Sequence, residues 1–403
     1  MVSNISVTKA EIRILSLMMQ KLFTPVRLGS FFEEHALTNT HIGKKIQINL
    51  GEAIDTTEID IAIFTVSESR GSFNNSGSAA AGDVVRRHLY QLTAEKHYRL
   101  MDAGELIIGE TPEETYQNLR FAMEYFLTQR IIPVIIGGSQ DLTIGQYRGY
   151  EFLGQAVNLA VVDERMDLTD ALHATPAQSW LLDIFSYQPK YLFNYIGIAC
   201  QGHYVPAQMI ATIDDLFFDM CRLGKLHENF QFAEPEVRDA DLISFDIASI
   251  KGADAPGHAQ ASPNGITSEQ ACQLMRYAGM SDKVSSLGIY EYNPMFDSHE
   301  QTGQLIAQML WYFIDGYYNR KHDYPITDER HFTKYIVNLE GNSYDLTFWK
   351  SNKSGRWWME VPFKVNAKYE RHQLVPCSYD EYLEAAGNTL PDKWMKVFHK
   401  LST

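Results

Sequence analysis

A chain of 403 residues, 45% hydrophobic and 12% aromatic, has ample material for a packed core, which argues against a disordered or low-complexity protein. Its formal net charge of −15 argues against a nucleic-acid-binding surface, because that affinity comes from clustered Lys and Arg releasing counterions, so small molecules or proteins are the expected partners. Cys200, Cys221, Cys272 and Cys377 form no C-x-x-C pair, and no apolar run approaches membrane-spanning length; the expectation is reduced, buried thiols, no disulfide framework, no thiolate zinc site and a cytoplasmic home.

In chain order, MVSNISVTKAEIRILSLMMQKLF is interrupted by Lys9, Glu11, Arg13, Gln20 and Lys21, which suits an amphipathic helix better than a signal peptide. Residues 1–45 are therefore expected to be an N-terminal helical segment. Six short apolar runs then read as strands: IDIAIFTV from Ile59, IIPVII from Ile131, VNLAVVD from Val157, LFNYIGIA from Leu192, DLISFDIA from Asp241 and SSLGIYEYN from Ser285. They are mostly apolar and do not alternate, the pattern of parallel strands covered on both faces. Helical periodicity fills the intervals at AAAGDVVRRHLYQL from Ala79, PEETYQNLRFAMEYFLTQ from Pro112, SEQACQLMRYA from Ser268 and TGQLIAQMLWYFIDGYY from Thr302. Pro112 suits a first-turn position and Ser268 an N-cap. The alternation implies a three-layer α/β/α sandwich around one mainly parallel sheet, over residues 46–325.

The remainder, 326–403, breaks the alternation and reads as a C-terminal extension. LTFWKSNKSGRWWMEVPF reads as a β-hairpin turning at Asn352–Gly355, followed by two short helices. Its tryptophans, Trp349, Trp357 and Trp358, together with Trp394, suit either a protein-docking face or packing onto the core, with packing the favoured reading.

In a parallel sheet, functional groups gather beyond the C-terminal ends of the strands. Four stretches fall there: IIGGSQD after Ile136, VVDERMD at Asp163, SFDIASIKG at Asp246 and IYEYNPMFD at Glu291. Carboxylates from separate strand ends meeting in one pocket would repel, and such a cluster usually holds a cation.

The order and spacing of these stretches resemble the ureohydrolase superfamily, which includes arginase, agmatinase and formimidoylglutamase. GGSQ (Gly137 to Gln140) resembles its G-G-D-H, DERMD (Asp163 to Asp167) its D-A-H-x-D, SFDIASIKG (Ser244 to Gly252) its S-x-D-x-D-x-x-D-P, and EYNPMFDSHEQT (Glu291 to Thr302) its E-x-N-P-x-x-D-x-x-x-x-T. The resemblance spans about residues 55 to 322 and implies an arginase-like fold and oligomeric assembly. It also implies paired manganese ions, held by two His and four Asp, that activate a bridging hydroxide against an amidine carbon. Asp163, Asp167 and Asp246 match ligand positions. Gln140 and Arg165 stand where the family has histidines, and Ala248 where it has an aspartate.

These replacements set the expectations for the site. Asp163, Asp167 and Asp246 with the Gln140 amide are expected to hold no metal or at most one weakly bound divalent cation (Mg, Ca or Mn), and a binuclear manganese centre is not expected. Arg165 is expected to lie between the aspartates as an internal counter-ion where a metal once stood, because a guanidinium cannot be deprotonated into a ligand. The alternative for Asp163 and Asp246 is that they cap loops or helices. Glu291, with Asn293, matches the family's hold on a cationic substrate group, although N-P-x-x-D also persists for turn and packing reasons. His173 resembles an entrance-loop proton shuttle, a surface role being favoured, and Cys200 with His203 supplies too few ligands for zinc.

The functional expectation is a ureohydrolase-fold protein with dismantled hydrolytic machinery and a binding, regulatory or assembly role. The alternative is an active formimidoylglutamase-like or other linear-amidine hydrolase using a single divalent metal. A small cationic ligand, a protein partner at the C-terminal extension and homo-oligomers complete the expectations, with neither nucleic acid nor membrane involved.

Overall fold

The computed structural model describes the chain except residues 1–18, 20, 28–36, 53–54, 95, 326–328, 340–344, 363–368, 370–371 and 403. Most of the helix expected in the first 45 residues falls outside the described residues. Ten strands form one sheet: β1 (Phe23–Thr24), β2 (Gln47–Ile48), β3 (Ile61–Val66), β4 (Leu100–Leu106), β5 (Ile132–Gly137), β6 (Val157–Val162), β7 (Leu192–Ile198), β8 (Asp219–Cys221), β9 (Leu242–Asp246) and β10 (Ser286–Tyr290). Their order is β1-β4-β3-β5-β10-β9-β6-β7-β8 with β2 on β4, and every pairing is parallel except β1 with β4. All residues of β3, β5, β6, β7, β9 and β10 are buried, which is why their sequences carry no polar alternation.

Helices cover both faces. One face packs against α1 (Ala81–Gln91), α6 (Leu223–Glu228), α7 (Ala233–Asp239), α8 (Ser268–Met280) and α9 (Gln301–Tyr317). The other packs against α2 (Pro112–Thr128), α3 (Thr143–Arg148), α4 (Pro176–Ser186) and α5 (Ala207–Asp215). The expected three-layer α/β/α sandwich is thus what the chain adopts. Pro112 sits in the first turn of α2 behind an N-cap at Thr111. The cap of α8 is one residue earlier than expected. The Thr267 hydroxyl accepts from the Gln270 backbone N–H at 3.2 Å while the Gln270 side-chain Oε1 accepts from the Thr267 N–H at 2.9 Å, a reciprocal capping box.

Beyond the core, β11 (Phe332–Asn338), β12 (Asp345–Ser351), β13 (Trp357–Glu360) and β14 (Leu374–Cys377) form an antiparallel sheet, followed by α10 (Tyr379–Ala386) and α11 (Asp392–Ser402). The expected hairpin is β12–β13, and the two expected helices are present. Trp349, Trp357, Trp358 and Trp394 are all buried, in keeping with the packing reading. This sheet shares an apolar cluster with Ala156 and Phe193 of the core. Arg238 of α7 crosses the seam: its guanidinium donates to the backbone carbonyls of Trp357 (3.1 Å) and Cys377 (3.3 Å) and lies 4.4 Å from the centre of the Trp358 ring.

Candidate functional site

The topology gathers the four motif-bearing loops. β5, β10, β9 and β6 are consecutive in the sheet, so Gln140, Glu291, Asp246 and Asp163 leave adjacent strands at their C-terminal ends. The cavity beyond them, about 280 Å³, is lined by Asp163, Asp167, Asp246 and Glu291, with Glu164, Arg165, Tyr204, Ala248 and His258 among the other walls. Asp163, Asp246 and Glu291 are buried and Asp167 is half-buried, and no ion pair among the described residues reaches any of the four.

Each carboxylate is held by its own loop. Asp163 Oδ1 accepts from the Arg165 N–H at 2.9 Å and Asp246 Oδ1 from the Ala248 N–H at 2.7 Å, so both shape their turns while facing the cavity. Asp167 Oδ2 accepts from the Trp180 indole at 3.0 Å. Glu291 accepts from the Asn75 side chain at 2.7 Å and from the Gln140 backbone at 3.0 Å. Its φ of 65° is an unusual conformation for a residue with a side chain, and such strain concentrates at functional positions.

Gln140 is fully buried beneath the aspartates. With its nitrogen turned toward them, the amide donates to Asp163 Oδ2 (3.1 Å) and Asp167 Oδ2 (3.0 Å), and its oxygen accepts from the Ser244 hydroxyl (3.2 Å). That orientation satisfies both ends of the amide. Reversed, three oxygens would face one another, an arrangement that a positive charge relieves.

The electrostatics follow from burial. Desolvation raises the Asp163 carboxyl well above its ordinary range, helped by repulsion from Asp167 and Asp246. Asp246 is likewise raised, by burial first and by Glu291 next. Burial pushes Asp167 to about 6 and Glu291 to about 8, with hydrogen bonds from Trp180 and Asn75 opposing the rise. The floor is therefore a set of acids that would ionise readily beside a cation.

The position of Arg165 corrects the expectation of an internal counter-ion. Its guanidinium is not between the aspartates. It turns outward, 40% exposed, with Nε 3.2 Å from Glu164 Oε1 and its centre 3.9 Å from the centre of the Tyr204 ring. Glu164 is buried and takes the charge that the aspartates were expected to take. Ala248 lines the cavity as a methyl group. Asn293 is spent on structure, donating to Asn75 Oδ1 at 2.9 Å and accepting from the Met295 N–H at 3.0 Å. His173 is exposed and is not part of the lining. The sequence reading missed Asn75, Glu164, Tyr204 and His258, whose only signal was proximity in sequence to a motif loop or none at all.

His258, 9% exposed at the cavity wall, accepts from the Gln260 N–H at 3.0 Å. Burial first, and the charge of Arg165 second, lower its basicity from 6.5 to about 4. Between those values the unfolded chain holds the extra proton, so this residue's contribution to stability is present above pH 6.5 and lost as pH falls through 4. The loss approaches about 3 kcal/mol. Denaturant titrations of wild type and His258→Gln should diverge from pH 7 to pH 4, the variant losing less stability. A difference between the two that stays constant over this window would refute the assignment.

A family model described as Arginase family matches residues 59–315. Among curated relatives, the formimidoylglutamase of Clostridium tetani is 22% identical over 265 residues, covering 61% of this chain and 78% of that protein. The formimidoylglutamase of Klebsiella pneumoniae is 23% identical over 273 residues, covering 62% and 84%. Solved structures with the same fold include Trypanosoma cruzi formiminoglutamase with Mn2+2 (TM-score 0.60, 20% identity, 74% of this chain and 100% of that one) and Bacillus subtilis formimidoylglutamase (TM-score 0.63, 16% identity, 73% and 98%). These findings correct the expectation of no metal or one weak cation: a solved structure of this fold carries manganese as Mn2+2. Among the described residues of this chain, no three His, Cys, Asp or Glu side chains stand together as a metal-holding group. As placed, Asp163 and Asp167 are engaged by the Gln140 amide, and Asp163 and Asp246 by the backbone of their own turns. Among the described residues no helix is long and apolar enough to cross a membrane.

Proposed function

The chain belongs to the arginase family, and from that premise we propose that its strand-end cavity binds a small organic cation of the amidine or guanidine class, in a binding or regulatory role rather than as a hydrolase. The observation that carries this reading is the set of four cavity-lining carboxylates, Asp163, Asp246 and Glu291 buried and Asp167 half-buried, that meet no ion-pair partner among the described residues, while Arg165 is turned away to Glu164 and Tyr204. A planar cation donates to several carboxylate oxygens at once and relieves their repulsion. The positions that resemble the family's histidines hold an amide and a guanidinium, and the imidazole in the lining, His258, is lowered to about 4.

A second reading, a linear-amidine hydrolase, is favoured by the name formimidoylglutamase on the relatives. Calorimetric titration of the full chain with guanidine-bearing and formimidoyl-bearing small molecules, with assays for urea, ammonia and formamide, separates the two. Saturable binding without turnover is expected. Turnover would establish the second reading, and absence of binding by any of these cations would overturn both.

A further inference from the structure

A second cavity, about 630 Å³, opens beyond the ends of β7 and β8 and shares no lining residue with the strand-end cavity. Its volume is in the range of small-molecule sites. In a chain of net charge −15, four basic side chains converge on it: His203, Arg222, Lys225 and His227. Among the described residues none of the four is in an ion pair. By contrast, Lys393 meets Glu236 at 3.1 Å and Lys396 meets Asp219 at 3.3 Å. One carboxylate, Glu228, also lines the cavity, so the set retains an excess of positive charge.

Gln201 lies in the wall behind these groups, 3% exposed. Its Nε2 donates to the Asn264 carbonyl at 3.2 Å, and its backbone N–H donates to the Glu164 carbonyl at 2.9 Å. We propose that this cavity is a binding site for a small polyanion, either a phosphate compound or a polycarboxylate. The anionic groups meet Arg222, Lys225 and the two histidines. Glu164 is the residue that holds Arg165 outward, so Gln201 joins this site to the wall of the strand-end cavity.

Pyrophosphate and citrate are the probes, titrated calorimetrically into the full chain at about 0.15 M ionic strength. The expected result is saturable binding of at least one of them, weakened at least about ten-fold by Arg222→Glu with Lys225→Glu. The control pair Lys334→Glu with Lys353→Glu, exposed and remote in sequence, changes net charge equally and should leave affinity within about two-fold. Tighter binding of pyrophosphate assigns the phosphate class, and tighter binding of citrate the carboxylate class. No saturable binding of either anion, or equal weakening by both variant pairs, overturns the proposal.

Discussion

Replacing Arg238 with leucine is expected to destabilise the protein by about 3 kcal/mol or more, because it removes one side of a buried polar junction and leaves the other unpaired. The guanidinium is 4% exposed and bonds Glu234 through Nε at 2.9 Å as well as the carbonyls of Trp357 and Cys377. Leucine would strand both carbonyls in an apolar seam and remove the cation stacked on Trp358. Glu234 would keep Arg356, 3.1 Å away, so the loss concentrates on the carbonyls. Urea denaturation followed by tryptophan fluorescence measures it directly, since three of the tryptophans belong to this sheet. A loss below about 1 kcal/mol would show that the seam is held by apolar contact alone.

The second large effect is a paired one. Asp246→Asn is expected to raise stability by about 1 kcal/mol while lowering affinity for an amidine or guanidine ligand at least about ten-fold. Asparagine retains the oxygen that accepts from the Ala248 N–H, so the turn survives. What disappears is a desolvated carboxylate facing Glu291 and Asp167, whose charge is costly without a ligand and useful with one. Thermal melts with and without ligand report both effects. A variant that is destabilised, or that binds as tightly as wild type, would show that Asp246 serves its turn and nothing more.

Much of the architecture was legible because its cause is local to each segment. The six central strands are buried along their whole length, and an uninterrupted apolar run is the direct record of that burial. β4 left no such record. LMDAGEL carries Asp102, tolerated in the sheet because Arg86 of α1 meets it at 2.8 and 3.0 Å and Tyr90 donates to it at 2.7 Å. β1, β2 and β8 are two or three residues long, too short for any periodicity. In the site, the motif loops were readable as strand ends, but the direction of a side chain was not. Arg165 points where Tyr204 receives it, a residue on another strand's loop, and Glu291 is held by Asn75, which is 216 positions away. Those contacts depend on strand order, which a linear pattern of apolar residues does not encode.

The strand order also governs how the chain is made. β5 and β6 follow each other in sequence, yet β9 and β10 lie between them in the sheet. While the ribosome is still delivering residues before Leu242, the nascent chain can pair β3 with β5 and β6 with β7, leaving two half-sheets that each end in an unpaired apolar edge. Such edges invite pairing with other chains, so the interval before β10 emerges is when chaperone protection matters most for this protein.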